Sequence, residues 1–119
     1  MVARAAQLPL EVKAALVVGE RFWTTRAVPA LGLPSLTLAD GPHGVRLVEA
    51  GGDDRGLGAT VPATCFPPAA GLASSFNPEL LERVGAAIGD EARARGVDVV
   101  LGPGVNLKRV PQCGRNFER

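Results

Sequence analysis

The sequence is poor in the residues that usually announce a function. It has no tyrosine, one tryptophan, one histidine, one methionine and two cysteines in 119 residues. Cys65 and Cys113 lie far apart and make neither a CxxC pair nor zinc-ligand spacing, so no metal site is expected. The expectation for them is two reduced thiols in or near a core, with a disulfide as the alternative. Charge of one sign is also scarce. Thirteen basic and twelve acidic residues leave a net charge of +1, which argues against nucleic acid or an anionic membrane as main partner. No apolar run reaches the roughly 18 residues that would span a bilayer. After Arg4 the apolar stretch is broken by Gln7, Glu11 and Lys13, unlike a secretory signal, so a cytoplasmic location is expected.

What is present is globular. Apolar residues make up 46% of the chain, and the length allows one domain or a piece of one. Pro9 to Val18 has moderate helical periodicity. Phe22 and Trp23 follow, and Trp23 is expected in the core, with a lining position as the alternative. Ser35 to Ala39, bounded by Pro34 and by Asp40-Gly41-Pro42, reads as a buried strand. Glu49 to Pro62 is rich in glycine and reads as a long surface loop. Ala69 to Ser75 is small and apolar and fits a short strand or a buried turn. A helix is predicted from Asn77, with Asn77 as N-cap and Pro78 at the first helical position. Leu80, Leu81, Val84, Ala87, Ile88 and Ala92 form its apolar stripe. Glu79 and Glu82 suit its first turns, Arg93 and Arg95 its last, and Gly96 is a natural residue to end it. Val97 to Leu101 reads as a second strand, apolar enough for a parallel sheet covered on both faces.

This alternation predicts a parallel α/β fold. Such strands need neighbours, so residues 1–119 are expected to be the front portion of a larger α/β domain.

In α/β folds ligands sit at the carboxyl ends of strands. The first strand delivers Asp40, His43 and Arg46 there. The second delivers Asn106, Lys108, Arg109, Arg115, Asn116 and Glu118 in the loop that follows. Opposite charges with neutral amides suit a small hydroxyl-rich ligand: a carboxylate accepts from neighbouring hydroxyls and a guanidinium donates to others. Each signal also has an ordinary explanation. Asp-Gly-Pro is common turn chemistry, and Lys108-Arg109 alone is a solvated pair. Gly102-Pro103-Gly104 lacks the third glycine of a dinucleotide loop, so a nucleotide-binding module is a weak alternative.

Four ordered blocks then carry a resemblance. Leu36-Thr37-Leu38-Ala39-Asp40-Gly41-Pro42-His43-Gly44-Val45-Arg46 resembles the strand-end motif of glycoside hydrolase family 3, which contains many β-glucosidases. Pro62 to Pro67, Gly102 to Arg109 and Cys113 to Glu118 agree with it in the same order. Gly19, Phe22, Trp23 and Thr24 fit the preceding segment. The resemblance implies a partial (β/α)8 TIM-like barrel, N-terminal portion only, since a full barrel takes roughly 250 residues. It implies a fragment of a retaining β-glycosidase that acts on terminal non-reducing β-linked sugars and needs no cofactor or metal.

By the resemblance, Asp40, Arg46 and Arg115 bind the sugar of the −1 subsite. Asn116 and Glu118 are expected to form a supporting shell for Arg115, because binding groups need partners that fix their rotamers, and His43 is expected to shape the turn. The nucleophile and the acid/base belong to later segments of such enzymes. Retaining sites hold those two carboxyls about 5–5.5 Å apart, so this chain alone is expected to be inactive. The alternative is a non-catalytic carbohydrate-binding or degenerate remnant. The expected partner is a small β-glycoside or oligosaccharide, with self-association through open sheet edges as a hazard.

Overall fold

The computed structural model describes residues 6–49 and 58–116. In chain order they form helix α1 (Leu10–Leu16), a 3-10 turn (Pro29–Leu31), strand β1 (Leu38–Ala39), helix α2 (Ala69–Ala73), helix α3 (Pro78–Ala94) and strand β2 (Val99–Val100).

Helix α3 follows its local signals from end to end. The Asn77 side chain accepts the Leu80 N–H at 3.1 Å and Pro78 opens the helix. At the far end Gly96 adopts φ +71°, a conformation open to glycine at little cost. The Gly96 N–H donates to Arg93 O and the Val97 N–H to Ala92 O, which is a Schellman motif. Ala92 and Val97 are both buried, so the same turn that ends the helix seats the chain in the core before β2.

β1 and β2 pair in parallel, with Leu38 opposite Val99 and Ala39 opposite Val100. Asp98 sets this register twice. Its N–H donates to Thr37 O, and its carboxylate accepts the Thr37 N–H at 2.8 Å. On the other side of β1 the Thr25 N–H donates to Leu36 O and the Leu38 N–H to Trp23 O. β1 is therefore flanked on both sides.

Four expectations are corrected. Ala69 to Ser75 is neither strand nor turn but begins as a short helix. Alanine has the best helix propensity, and Pro68 suits the position before a first turn. The strands are two residues long rather than five, and their faces are only partly covered: Ala39 is fully buried, while Val99 and Leu101 are exposed. Cys65 and Cys113 are free, as expected, but both are exposed rather than near a core. Trp23 is half-buried rather than in the core.

The core is small. Ala39, Val45, Ala92 and Val97 are buried together, with Leu47, Ile88 and Val100 packed against them. The accessible surface is 8813 Å², whereas a folded monomer of this mass would expose about 6,100 Å². The radius of gyration is 17.4 Å against about 13.5 Å for a compact chain of this length. Both quantities describe a structure with more surface than its own core can serve. No helix among the described residues is long and apolar enough to cross a membrane.

Candidate functional site

The site begins where β1 stops. Asp40 and Arg46 face each other across a tight turn, as an isolated antiparallel bridge in which the Arg46 N–H donates to Asp40 O at 2.9 Å. Two glycines make the turn fit. A Cβ on Gly41 would lie 1.9 Å from Gly44 O, and one on Gly44 would lie 2.1 Å from Thr64 O. Both residues also have positive φ. Between them and Arg46, Val45 is 2% exposed and anchors the turn in the core.

This backbone brings two side chains together. The Arg46 Nε–H donates to Asp40 Oδ1 at 2.8 Å, with both side chains about two-fifths exposed. A pair that wet contributes only about 0–1 kcal/mol to stability. Its value is geometric: each charge fixes the rotamer of the other. The Arg46 guanidinium also lies 5.7 Å from the Trp23 ring centroid, within the range of a cation–π contact. Phe22 packs edge-on against Trp23, with centroids 5.1 Å apart. Sequence reasoning placed Trp23 in the core and missed this contact. The signal it had was the position of Trp23 before the strand-end motif; the approach of Arg46, 23 residues later, follows only from the pairing of Trp23 with Leu38.

Arg115 arrives from the loop after β2, and it lines the same hollow of about 440 Å³ as Asp40 and Arg46. The size falls within the usual range for small-molecule sites. Asn106 is a fourth polar residue on its wall, beside Gly41, Pro42, Leu101 and Gly104. Asn106 was among the strand-end residues of the sequence but was given no role there.

Other residues of the expected site lie elsewhere. Asn116 donates from its side-chain amide to Pro111 O at 2.9 Å and accepts from the Lys108 ammonium at its carbonyl, so these bonds brace the loop that carries Arg115. Glu118 lies outside the described residues, as do Asp53 and Asp54. His43 does not line the charged hollow but a larger one beside it, and its carbonyl accepts the Phe66 N–H at 2.7 Å. Among the described residues no group of three His, Cys, Asp or Glu side chains could hold a metal ion.

A second and larger hollow, about 780 Å³, lies on the other side of Gly41 and Pro42. Leu72 of α2, Leu81, Val84 and Ile88 of α3 and Val100 of β2 line it. It is mostly apolar, with His43, Asn106 and Lys108 also on its wall, and carries neither Asp40 nor Arg46, so the chemistry belongs to the smaller hollow.

The sequence and the fold both match known proteins. Residues 32–119 match the model of the Glycosyl hydrolase family 3 N terminal domain. The thermostable beta-glucosidase B of Acetivibrio thermocellus is 54% identical over 112 residues, 94% of this chain and 15% of that protein. An exo-alpha-(1->6)-L-arabinopyranosidase of Bifidobacterium longum is 51% identical over 113 residues, 93% of this chain and 15% of that protein. The crystal structure of a beta-glucosidase from Kluyveromyces marxianus in complex with glucose superposes with a TM-score of 0.81 at 36% identity, covering 98% of this chain and 13% of that one. The chain thus spans about a seventh of the length of these relatives.

Proposed function

Since the chain belongs to glycosyl hydrolase family 3, we propose that it supplies part of the sugar-binding site of a retaining glycosidase that removes a terminal pyranose. Asp40 accepts from adjacent ring hydroxyls. Arg46 and Arg115 donate to others. The observation that carries this reading is the convergence of those three side chains on one hollow. An ion-paired carboxylate and guanidinium, already turned toward each other, offer acceptor and donor to neighbouring hydroxyls without reorganisation when the sugar arrives.

The structural class we propose is the front part of a (β/α)8 barrel. Excess surface and the apolar hollow against α3 support it, because both call for further packed elements. Hydrolysis with retention requires two reacting carboxyl groups about 5–5.5 Å apart. Asp40 is held by Arg46 on the binding side, and we assign neither reacting role to this chain. The chain alone is therefore expected not to turn over substrate.

Glucose is the first sugar to test, because relatives named for β-glucosidase activity and the glucose complex point there. An arabinopyranoside is the second, on the relative named for that activity.

The test is a graft. The matched segment of the Acetivibrio thermocellus enzyme is replaced by this chain, and hydrolysis of aryl β-glucoside and aryl α-arabinopyranoside is followed. The graft is expected to be active and the 119-residue chain inactive. In the graft Asp40→Ala should lower kcat/KM by about 100-fold, as expected for losing hydrogen bonds to a charged group. Unchanged kinetics in that variant would overturn the binding role.

A further inference from the structure

Helix α2 has an unusual start. The residue before it is Pro68, which has no side-chain acceptor and makes no capping bond. The first N–H groups of any helix lack partners within the helix. Here the first one is satisfied from 26 residues away: the Ala69 N–H donates to His43 Nε2 at 3.3 Å. His43 also accepts the Phe66 N–H at its own carbonyl. One residue in the middle of the Asp40–Arg46 turn therefore holds both the approach to α2 and its first turn. The close pass of Gly44 against Thr64 O lies next to these two ties in the chain.

We infer that His43 is a positioning residue, whose neutral imidazole caps α2 and so clamps the turn that presents Asp40 and Arg46 to the sugar. Accepting at Nε2 requires the lone pair there, which puts the proton on Nδ1. The clamp acts on the backbone of the turn from the side of the larger hollow. It touches no sugar and does not itself react. The inference rests on the proposed sugar role of Asp40 and Arg46, and the experiment separates the two.

The distinguishing feature is reach. The side-chain oxygen of glutamine lies as many bonds from Cβ as Nε2 of histidine, whereas that of asparagine falls one bond short. His43→Gln should keep the cap and His43→Asn should lose it. Nitrogen-15 spectra of the chain should show His43 protonated at Nδ1 and bare at Nε2. Amide exchange at Ala69 should be about tenfold faster in His43→Asn and within about twofold of the parent in His43→Gln, the scale of one net hydrogen bond. The Arg46 Nε–H should follow the same order. In the graft, KM for aryl β-glucoside should rise in His43→Asn and return in His43→Gln.

A proton found on Nε2, or parent-like exchange at Ala69 in His43→Asn, would overturn the inference. Amides of the Asn77-capped helix α3 serve as the internal control: if they too lose protection, the variant has unfolded and the imidazole spectrum of the parent decides. If Asp40→Ala leaves the graft's kinetics intact while the His43 signatures hold, the sugar reading fails and the clamp remains a feature of the fold.

Discussion

The two hollows share a wall and have opposite characters. Gly41, Pro42, Gly104 and Asn106 border both. On one side, three charged residues and an amide line a space that the chain shapes from its own turns. On the other, leucine, valine and isoleucine from α2, α3 and β2 line a larger space. The charged side is tied at every level: a bridge between Asp40 and Arg46, two glycines with no room for a Cβ, and the buried Val45 just before Arg46. The apolar side has fewer ties, the bond from Ala69 to His43 among them, and Leu81 on it remains 42% exposed. Polar binding geometry can be built locally because hydrogen bonds are short and directional. Apolar burial cannot, because it needs area from many segments at once.

The contrast can be broken on the tied side first. Gly44→Ala puts a methyl group into Thr64 O, so the turn must move. Thermal unfolding should show a loss of about 2–4 kcal/mol together with loss of the Arg46 Nε–H signal. On the less tied side, Ile88→Ala removes a half-buried side chain packed on the core and should cost about 1–2 kcal/mol, less than a fully buried site because part of it is already wet. Trp23→Leu removes the aromatic face under Arg46. It should cost about 1 kcal/mol in sugar affinity in the graft, with little change in unfolding temperature. Leu81→Glu is the smallest and the sharpest: stability of the isolated chain should change by less than about 0.5 kcal/mol, and sedimentation should show less self-association. A large destabilisation there would mean that α3 already uses this face.

Local chemistry made α3 legible in the sequence. Asn77, Pro78 and Gly96 each act within a few residues of where they stand, and each does what its type suggests. The strand-end position of Asp40 was legible for the same reason, since Pro34 and Gly41-Pro42 bracket β1. The nearness of Arg115 to Asp40 was not. Seventy-five residues separate them, and only the resemblance of four ordered blocks linked the two. Helix α2 was missed because five small residues carry no periodicity that separates helix from strand. Its cap was missed because the acceptor is a histidine from another part of the chain. Trp23 was misplaced because a lone tryptophan gives no sign of which cation it will lie against.

The partition of glycine and proline between the hollows has an energetic corollary. Whatever comes to rest against the leucine-lined side presses on the back of the very peptide that carries Asp40. Occupancy of the two sides is then a pair of linked equilibria, and any cooperativity between them is reciprocal: the factor by which one strengthens the other is the factor returned. In the graft, affinity for a pyranose would thus report, at a distance of one backbone's thickness, on how completely the surrounding enzyme has packed against this face.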